Sequence, residues 1–317
     1  MIAVVPVEPI VSFAQNREDV VLWRALSGIG PGRYVEVGAN HPTLDSVTRL
    51  FYDNGWAGIT VEPEPGFAEL QRAARPRDTL VEAAAGSHAG EITLHVVPGT
   101  GLSTVVDEVS DRHVSAGIDH VDIVVPVRTL DDILADSGWT PEDDIHFLLV
   151  DVEGAEADVL AGLDLHRWRP WVLLVEATAP NSTEATHEAW EPGVLAAGYE
   201  FCLFDGLSRF YVAQEHADDL RAALSYPACI LDNYRPLAQS TAEHEVLDLR
   251  AQVVHWRTLA LTQWADALAE ASGRSSGGDG EAEQLRQEIQ ALQQTLSWRI
   301  TAPLRRAKLV ATRVRGR

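Results

Sequence analysis

Short apolar runs alternate with helical patterns between residues 15 and 245, and few folds accommodate this order. The runs are rich in β-branched and aromatic residues, which favour strands. They lie at 33–37, 57–61, 79–84, 91–97, 121–127, 145–150, 170–176, 199–204 and 210–213. The helical patterns lie at 20–26, 44–51, 66–75, 129–136, 154–162 and 184–197. This alternation predicts an α/β domain with a mainly parallel sheet and helices on both faces.

The composition allows such a domain to bury a core, and it argues against nucleic acid as a partner. The 317 residues are 46% hydrophobic and 23% charged, as is usual for globular proteins. The net charge of −22 has the wrong sign for binding phosphate backbones. Residues 298–317, however, hold seven basic residues and no acid, which leaves −29 on the remainder. We therefore expect an acidic body with a basic C-terminal tail.

Neither the cysteines nor the hydropathy indicates an exported or membrane-spanning protein. Cys202 and Cys229 lie far apart and outside metal-ligand spacing, so neither a disulfide framework nor a zinc site is expected from them. The first residues lack a basic segment and contain Pro6 and Pro9, unlike a signal peptide. No apolar run approaches the length of a membrane span. The sequence predicts a soluble cytoplasmic protein.

The C-terminal quarter differs from the rest of the chain in composition. We assign residues 1–240 to the α/β domain and 241–271 to a helical extension. Residues 272–281 are rich in glycine and serine and predict a flexible linker. In 282–317, apolar residues spaced by four, three and four predict a short coiled coil, which offers a surface for homo-oligomers. These residues are Leu285, Ile289, Leu292 and Leu296.

Acidic residues end or follow several of the predicted strands. Glu36 and Glu62 end the first two, and Asp151, Glu153 and Glu176 belong to two later ones. Ligands of open parallel sheets bind beyond the carboxyl ends of the strands, and an acid after the second strand typically binds ribose hydroxyls. A single carboxylate after a strand also serves as a helix cap or a solvated turn. The combination, more than any one acid, predicts a ligand site.

Gly38 follows the first of these acids, in YVEVGANHP (34–42). A glycine allows the backbone to approach a ligand where a Cβ would clash. No G-x-G-x-x-G follows this strand, which disfavours a dinucleotide as the ligand.

Five segments together resemble the FkbM family of S-adenosylmethionine-dependent methyltransferases. They are YVEVGANHP (34–42), GW-x-GI-x-VEPEP (55–65), TLDDIL (129–134), LLVDVEGAE (148–156) and, similar to the family's first helix, SFAQNREDVVL (12–22). The resemblance implies a Rossmann-like methyltransferase fold. Members of the family methylate hydroxyl groups, mostly on sugars and polyketide-like products. It therefore implies O-methylation of a sugar hydroxyl of a glycan or glycosylated metabolite. The alternatives are a polyketide or other small-molecule hydroxyl, or a catalytically silent cofactor-binding scaffold.

The resemblance also implies roles for single residues. The methionine part of S-adenosylmethionine would contact Glu36, Gly38 and Asn40, and the ribose would contact Glu62. The adenine would lie against Ala84, Ala85, Gly86 and Ser87, and Asp151 would face the methyl group or the acceptor. Pro42 departs from the pattern, because general methyltransferase loops have a glycine there.

Methyl transfer to a hydroxyl requires a group that takes the proton. The candidate bases are Asp151, Glu153, Glu176 and His41. Asp151 and Glu176 are also candidate ligands of a divalent metal, because carboxylate oxygens suit Mg²⁺. His41 is equally compatible with a loop histidine bonded to backbone. The segment GTGLSTV (99–105) either closes over the substrate or forms an ordinary turn.

The tail resembles the C-terminal ends of bacterial glycosyltransferases and other proteins of surface-glycan assembly, through SWRITAPLRRAKLV (297–310). Its apolar residues beside arginines predict either an interfacial helix attracted to anionic lipid or a disordered basic tail. The first alternative would place the enzyme peripherally at the inner face of the membrane.

Overall fold

The computed structural model of the chain describes residues 8–274, 280–295 and 298, and its contacts separate two compact units, Met1–Thr241 and Ala242–Arg317. The strands within these ranges are β1 (Ile10–Ser12), β2 (Arg33–Val37), β3 (Ala57–Val61), β4 (Thr79–Val81), β5 (Ala84–Ala85), β6 (Gly90–Val96), β7 (Val121–Arg128), β8 (Phe147–Val150), β9 (Val172–Glu176), β10 (Tyr199–Phe204), β11 (Ser208–Ala213) and β12 (Tyr234–Pro236). The helices are α1 (Glu18–Leu26), α2 (Arg49–Asp53), α3 (Pro65–Ala74), α4 (Asp107–Ser115), α5 (Leu130–Asp136), α6 (Glu156–Ala161), α7 (Glu191–Ala196), α8 (Ala217–Leu224), α9 (Leu237–Arg274) and α10 (Gly280–Gln294).

The central sheet has the strand order β10-β11-β9-β8-β2-β3-β4. The strands from β9 to β4 are parallel, and β11 runs antiparallel to both β9 and β10. This mainly parallel sheet, flanked by helices, confirms the predicted Rossmann-like α/β architecture.

The middle strands are buried on both faces, which is why they read as continuous apolar runs in the sequence. Val35, Leu148 and Leu173 belong to one core cluster. Phe147 and Leu174, which neighbour two of them along the chain, belong to a second cluster. Successive side chains of a strand point to opposite faces, so the two clusters lie on opposite sides of the sheet.

The direction in which the chain adds strands to the sheet reverses at β2. From β2 the chain continues to β3 and β4 on one side, and later to β8 and β9 on the other. In the register, Val35 pairs with Ile59 on β3 and with Leu148 on β8. Such a reversal leaves a crevice beyond the carboxyl ends of the two strands that diverge, where ligands bind in open α/β sheets.

The first unit also contains a smaller sheet with the strand order β5-β7-β6. Strand β6 runs antiparallel to β7, and the short β5 runs parallel to it. Leu94 and Val125 form part of the core of this sheet. The predicted run at 79–84 is thereby divided between β4 in the central sheet and β5 in the smaller one.

Several helices differ from the sequence prediction, among them α8, which was not predicted, and α7, which begins at Glu191 rather than at residue 184. Helix α4 was not predicted, because its buried face consists of Val109, Ser110 and His113 and has no apolar stripe. Helix α2 begins at Arg49, whereas the periodicity placed its start at residue 44. The residues before it form a turn that is held by side-chain hydrogen bonds, and periodicity does not register such bonds.

Helix α3 begins at Pro65 because Glu64 caps it. The Glu64 carboxylate accepts hydrogen bonds from the amides of Gly66 (3.0 Å) and Phe67 (2.6 Å). Proline suits the first position of a helix, where the amide hydrogen has no partner. The cap fixes the backbone immediately after Glu62, at the carboxyl end of β3.

The second unit is helical in its described part. Helix α9 continues to Arg274 and α10 begins at Gly280, so the prediction of a linker over 272–281 is wrong at both ends. The centre of that segment, 275–279, and all of the predicted basic tail except Trp298 lie outside the described residues. Among the helices that are described, none is both long and apolar enough to cross a membrane.

A buried arginine holds the turn before α2. Arg75 donates to the Pro42 carbonyl (2.7 and 3.1 Å), to Ser46 Oγ (2.6 Å) and to Thr48 Oγ1 (2.7 Å). It also lies 3.7 Å from the carboxylate of Asp78, and both side chains are almost inaccessible to solvent. Pro42 stands where general methyltransferase loops have a glycine. Arg75 therefore holds this position through the Pro42 carbonyl group.

We expect Arg75→Met to lower the free energy of unfolding by about 3–5 kcal/mol, because it removes the buried ion pair with Asp78 and the hydrogen bonds to the turn before α2. Arg72→Met is the matched control, since Arg72 pairs with Glu82 on the exposed side of the same region. Exposed pairs contribute about 0–1 kcal/mol. Urea-induced unfolding of the two variants measures the difference, and equal losses would contradict the assigned role of Arg75.

Candidate functional site

A cleft of about 460 Å³ lies at the point where the connection reverses. The carboxyl ends of β2, β3 and β8 line it, together with β5 and the loop 99–105. Its volume is in the range of small-molecule sites. The cleft brings together nine of the residues predicted from the sequence, namely Glu36, Gly38, Asn40, His41, Glu62, Ala84, Ala85, Asp151 and Glu153.

Gly38 is required by the neighbouring strand. Its φ is +83°, and a Cβ at this position would lie 1.7 Å from the carbonyl oxygen of Asp151. The amide of Asp151 in turn donates to the Val37 carbonyl at 3.0 Å. The sequence predicted a close approach of backbone to a ligand here. The structure shows that the backbone of β8 makes a close approach to Gly38.

The loop after Gly38 is held from α3. Gln71 donates through Nε2 to the carbonyl oxygens of Ala39 (3.0 Å) and Asn40 (2.9 Å). Asn40 has a φ of +47°, a region in which asparagine is over-represented among non-glycine residues. Sequence reasoning did not identify Gln71 or Arg75, because each reads as an ordinary polar residue of a surface helix.

Glu62 lines the cleft from the end of β3 and is anchored by backbone. One carboxylate oxygen accepts from the amide of Asn40 (2.6 Å) and the other from the amide of Glu64 (2.8 Å). Burial raises the pKa of Glu62 to about 7, although both amide bonds favour the charged form. Each oxygen keeps a further lone pair, so the group is oriented to accept two ligand hydroxyls.

Glu36 lies deeper, at the end of β2. Its carboxylate accepts from Thr48 Oγ1 at 2.7 Å. Burial raises the pKa of Glu36 to about 7, and the nearby charge of Arg75 opposes that rise. This carboxyl group therefore connects the floor of the cleft to the turn that Arg75 organises.

Asp151 and Glu176 belong to the ends of two neighbouring strands, β8 and β9, and are close enough for their charges to interact. Burial, and then the negative charge of Asp151, raise the pKa of Glu176 to about 11, so Glu176 keeps its proton at neutral pH. Asp151 lines the cleft, whereas Glu176 does not, and one of the Glu176 carboxyl oxygens is buried without a hydrogen-bond partner among the described residues.

Glu153 lines the cleft in a strained backbone conformation, with a φ of +53°. A non-glycine residue in this region costs about 1–3 kcal/mol and persists only where its surroundings enforce it. Glu156 enforces it by accepting from the amides of Val152 (3.3 Å) and Gly154 (3.0 Å). Burial and the charge of Asp151 raise the pKa of Glu153 to about 8.

His41 lies at the cleft, but one of its ring nitrogens is occupied. Nδ1 accepts from the amides of Thr43 (3.1 Å) and Leu44 (2.9 Å). The neutral ring therefore carries its proton on Nε2 and presents a donor to the cleft. This geometry corresponds to the backbone-bonded alternative and makes His41 a poor proton acceptor.

Only half of the segment predicted to contact the adenine lines the cleft. Ala84 and Ala85 line the cleft, whereas Gly86 and Ser87 do not. The Ser87 amide donates to Asp158 on α6 at 3.2 Å, and a Cβ on Gly86 would meet the same carboxylate at 2.7 Å. These two residues therefore pack against α6.

The loop 99–105 contributes one wall of the cleft. A Cβ on Gly101 would lie 2.5 Å from Asn40 Nδ2, so the loop reaches the turn that follows β2. Thr104 Oγ1 donates to the carbonyl of Glu153 at 2.9 Å. The segment is therefore part of the cleft lining, and closure over the substrate stays a prediction.

The cleft is lined by several carboxyl side chains and, within the described ranges, by no lysine or arginine. The six carboxyl side chains are those of Glu36, Asp45, Glu62, Glu64, Asp151 and Glu153. A ligand with several phosphate groups would be repelled here, and a cation would be attracted.

The predicted Mg²⁺ ligands do not form a cation cluster. Within the described residues, Asp151 and Glu176 belong to no group of three or more converging potential ligands. In the part of the chain with described side chains, three potential ligands converge at His95, His120 and Asp122 instead. The Mg²⁺ prediction at Asp151 and Glu176 gains no support.

The sequence matches the model of a known protein family. The profile of the methyltransferase FkbM domain matches residues 36–201, which is more than half of the sequence. The match defines the class of protein as a methyltransferase. Within that class, the chain belongs to the FkbM family, as the motifs at the strand ends implied.

The solved structures that match this chain do so at low sequence identity. The methyltransferase FkbM from Methylobacillus flagellatus KT is 16% identical with a TM-score of 0.36, and the alignment covers 58% of this chain and 43% of that one. A TehB-like SAM-dependent methyltransferase from Corynebacterium glutamicum ATCC 13032 is 9% identical with a TM-score of 0.32, covering 61% of this chain and 87% of that one. This chain thus spans less than half the length of the first. No curated protein matches the sequence.

We expect Gly38→Ala to destabilise the protein far more than Gly30→Ala. Both glycines have a φ near +85°, but a Cβ at Gly30 has nothing within 4 Å, whereas one at Gly38 meets the Asp151 carbonyl. The difference isolates the steric conflict, which in overpacked sites costs about 1–3 kcal/mol. Urea-induced unfolding measures it. Equal losses in the two variants would show that β2 and β8 can separate freely.

The stability of the ligand-free protein should fall as pH rises from about 4.5 to about 8. Glu153 ionises near 4.5 in the unfolded chain but near 8 in the folded one, so the native state binds more protons in this window. The Glu153→Gln variant should lose the part of this pH dependence that comes from Glu153. The variant should match the wild type near the acid end and exceed its stability at the alkaline end, by at most about 1.4 kcal/mol per pH unit.

The measurement is the free energy of unfolding in urea at several pH values. Glu69→Gln serves as the control, because Glu69 is exposed on α3 and outside the cleft. Parallel curves for wild type and Glu153→Gln would show that Glu153 ionises normally.

Proposed function

We propose that the protein is an S-adenosylmethionine-dependent O-methyltransferase that acts on a sugar hydroxyl of a glycan or glycosylated metabolite. The observation that carries the cofactor assignment is the uniform acidity of the cleft. S-Adenosylmethionine is a nucleoside without phosphate groups and has a positively charged sulfonium. Its charge therefore fits six carboxyl groups, whereas a phosphorylated dinucleotide does not.

The residues present match the parts of this cofactor. Glu62, whose two oxygens are fixed by backbone amides, would accept hydrogen bonds from the ribose hydroxyls. Ala84 and Ala85 offer a flat apolar surface for the adenine. Glu36 and Asn40, near Gly38, would hold the methionine part. Backbone and small side chains thus provide shape, and the carboxylates provide orientation.

When bound, S-adenosylmethionine supplies a methyl group on a sulfonium that reacts directly with an aligned nucleophile. The remaining task for this chain is to orient the acceptor hydroxyl and take its proton. Asp151 lines the cleft, and burial raises its pKa, which makes its carboxylate a stronger proton acceptor. Glu153, with a pKa of about 8, is a second acceptor whose proton affinity suits neutral pH. We assign the base to Asp151, assisted by Glu153.

The acceptor assignment rests on the polar wall of the cleft and on the family. The loop 99–105 presents Thr100, Ser103 and Thr104 toward the same space as Asp151. Hydroxyl groups of this kind suit a ligand rich in hydroxyls, such as a sugar. Each of the three already bonds a backbone group of this chain, so the family carries more of the acceptor assignment than the wall does.

We expect S-adenosylhomocysteine to raise the thermal midpoint of the wild type, because it binds only the native state. Glu62→Gln should weaken its affinity, since hydrogen bonds to a charged group are worth about 1.5–3 kcal/mol. Glu69→Gln, the same change on an exposed part of α3, should leave it intact. Calorimetric titration checks both, and equal affinity in the three proteins would remove Glu62 from the ribose site.

For the reaction, we expect transfer of a radiolabelled methyl group to at least one member of a panel of sugars, sugar nucleotides and lipid-linked glycans. A methyl ether survives alkali, whereas a methyl ester does not, so alkali treatment separates O-methylation of a hydroxyl from that of a carboxyl group. Asp151→Asn should bind S-adenosylhomocysteine normally but slow transfer by about 10²–10⁴-fold. Asp158→Asn is the control and should remain active, because Asp158 lies on α6 and does not line the cleft.

The alternatives predict other outcomes of the same assay. Transfer to polyketide-like hydroxyls with none to sugars would change the acceptor and keep the cofactor. Cofactor binding without transfer to any acceptor would identify a silent scaffold. Wild-type rates in Asp151→Asn would reject Asp151 as the base.

A further inference from the structure

A second group of ionisable side chains lies outside the cleft, between β6, β7 and α4. His95 on β6 and Asp122 on β7 are cross-strand partners in the antiparallel register. His120 lies just before β7, and Asp107 is the first residue of α4. None of these four residues lines the cleft. The methyltransferase assignment gives them no role.

The contacts of the group converge on one oxygen. Nδ1 of His95 lies 2.7 Å and Nε2 of His120 lies 3.2 Å from Oδ1 of Asp122. The other nitrogen of His95, Nε2, lies 3.0 Å from Oδ1 of Asp107. The ligand atoms of His95, His120 and Asp122 are all within 4.8 Å of one another.

Both ring nitrogens of His95 face carboxylate oxygens. A carboxylate only accepts hydrogen bonds, and a neutral imidazole has one N–H, so it can donate to Asp107 or to Asp122 but not to both. The lone pair of the other ring nitrogen then faces a carboxylate oxygen, where two acceptors repel each other. Either a second proton on His95 or a metal ion resolves this contact.

We propose that His95, His120 and Asp122 form a binding site for a divalent transition-metal ion, with zinc as the preferred ion. Two imidazole nitrogens and one carboxylate oxygen are a common protein ligand set for Zn²⁺, with a fourth position left to water. Asp107 would occupy the outer position that metal-binding histidines commonly use, accepting the second N–H and fixing the ring. The Asp122 side chain is 56% exposed, so the ion can enter from solvent.

The site would stabilise one wall of the cleft. His95 and Thr104 exchange two backbone hydrogen bonds, of 2.8 and 3.2 Å. Thr104 Oγ1 in turn bonds the carbonyl of Glu153. An ion that joins β6 to β7 would therefore restrain both ends of the segment that contains the loop 99–105. Its role is structural, and it takes no part in methyl transfer.

The test uses the full chain, free of any affinity tag and treated with a chelator, titrated with Zn²⁺ in a calorimeter. We expect one ion per chain and a rise in the thermal midpoint that EDTA reverses. His120→Ala and Asp122→Asn should abolish both effects, and Asp107→Asn should weaken affinity by about 10–100-fold. Circular dichroism without metal confirms that these variants are folded.

His187→Ala is the matched control, because it removes an imidazole from another histidine–carboxylate contact, the 3.7 Å pair with Glu191. It should bind Zn²⁺ as the wild type does. A wild type that binds no Zn²⁺ would overturn the proposal and assign the bridging cation to a proton on His95. Unchanged binding in a His120→Ala/Asp122→Asn double variant would also overturn it. Because the readout is ion binding, neither result depends on whether the protein transfers methyl groups.

Discussion

The contact between Gly38 and the Asp151 carbonyl determines the geometry of the whole cleft. Strands β2 and β8 run side by side up to this point, and the backbones then separate without room for a Cβ between them. The separation places the ends of the two strands on either side of one space. Residues far apart in sequence, such as Glu36 and Asp151, thereby face the same ligand. A wider junction would leave these carboxyl groups in separate environments.

The cost of this arrangement is electrostatic. Glu36, Glu62, Asp151 and Glu153 are desolvated together, and burial raises the pKa of each. Buried carboxyl groups without cationic partners destabilise a fold as they ionise. The protein limits the cost with backbone amides at Glu62, with Arg75 near Glu36, and with a Glu176 that stays protonated beside Asp151. A bound cation would relieve the remaining repulsion, which links stability to occupancy of the cleft.

The wall formed by 99–105 depends on elements that make no contact with a ligand. Its position follows from the backbone pairing of His95 with Thr104 and from the bond of Thr104 to Glu153. The cluster around His95 lies at the root of this segment. Rigidity of the cleft is therefore distributed between the central sheet, which provides the floor, and the smaller sheet, which provides the wall.

The sequence by itself determined the class of fold and the placement of most strands, because strands buried on both faces must be continuous apolar runs such as those around Val35 and Leu148. It also identified Glu62 and Asp151, since residues that follow parallel strands necessarily meet at one edge of a sheet. Only the tertiary structure decided which of these residues face the cleft. It moved Glu176, Gly86 and Ser87 out of the lining, and it showed that Nδ1 of His41 is occupied. It also assigned roles to Arg75 and Gln71, and it revealed α4 with the histidine cluster. These depend on hydrogen bonds between segments distant in sequence, and local periodicity carries no information about such bonds.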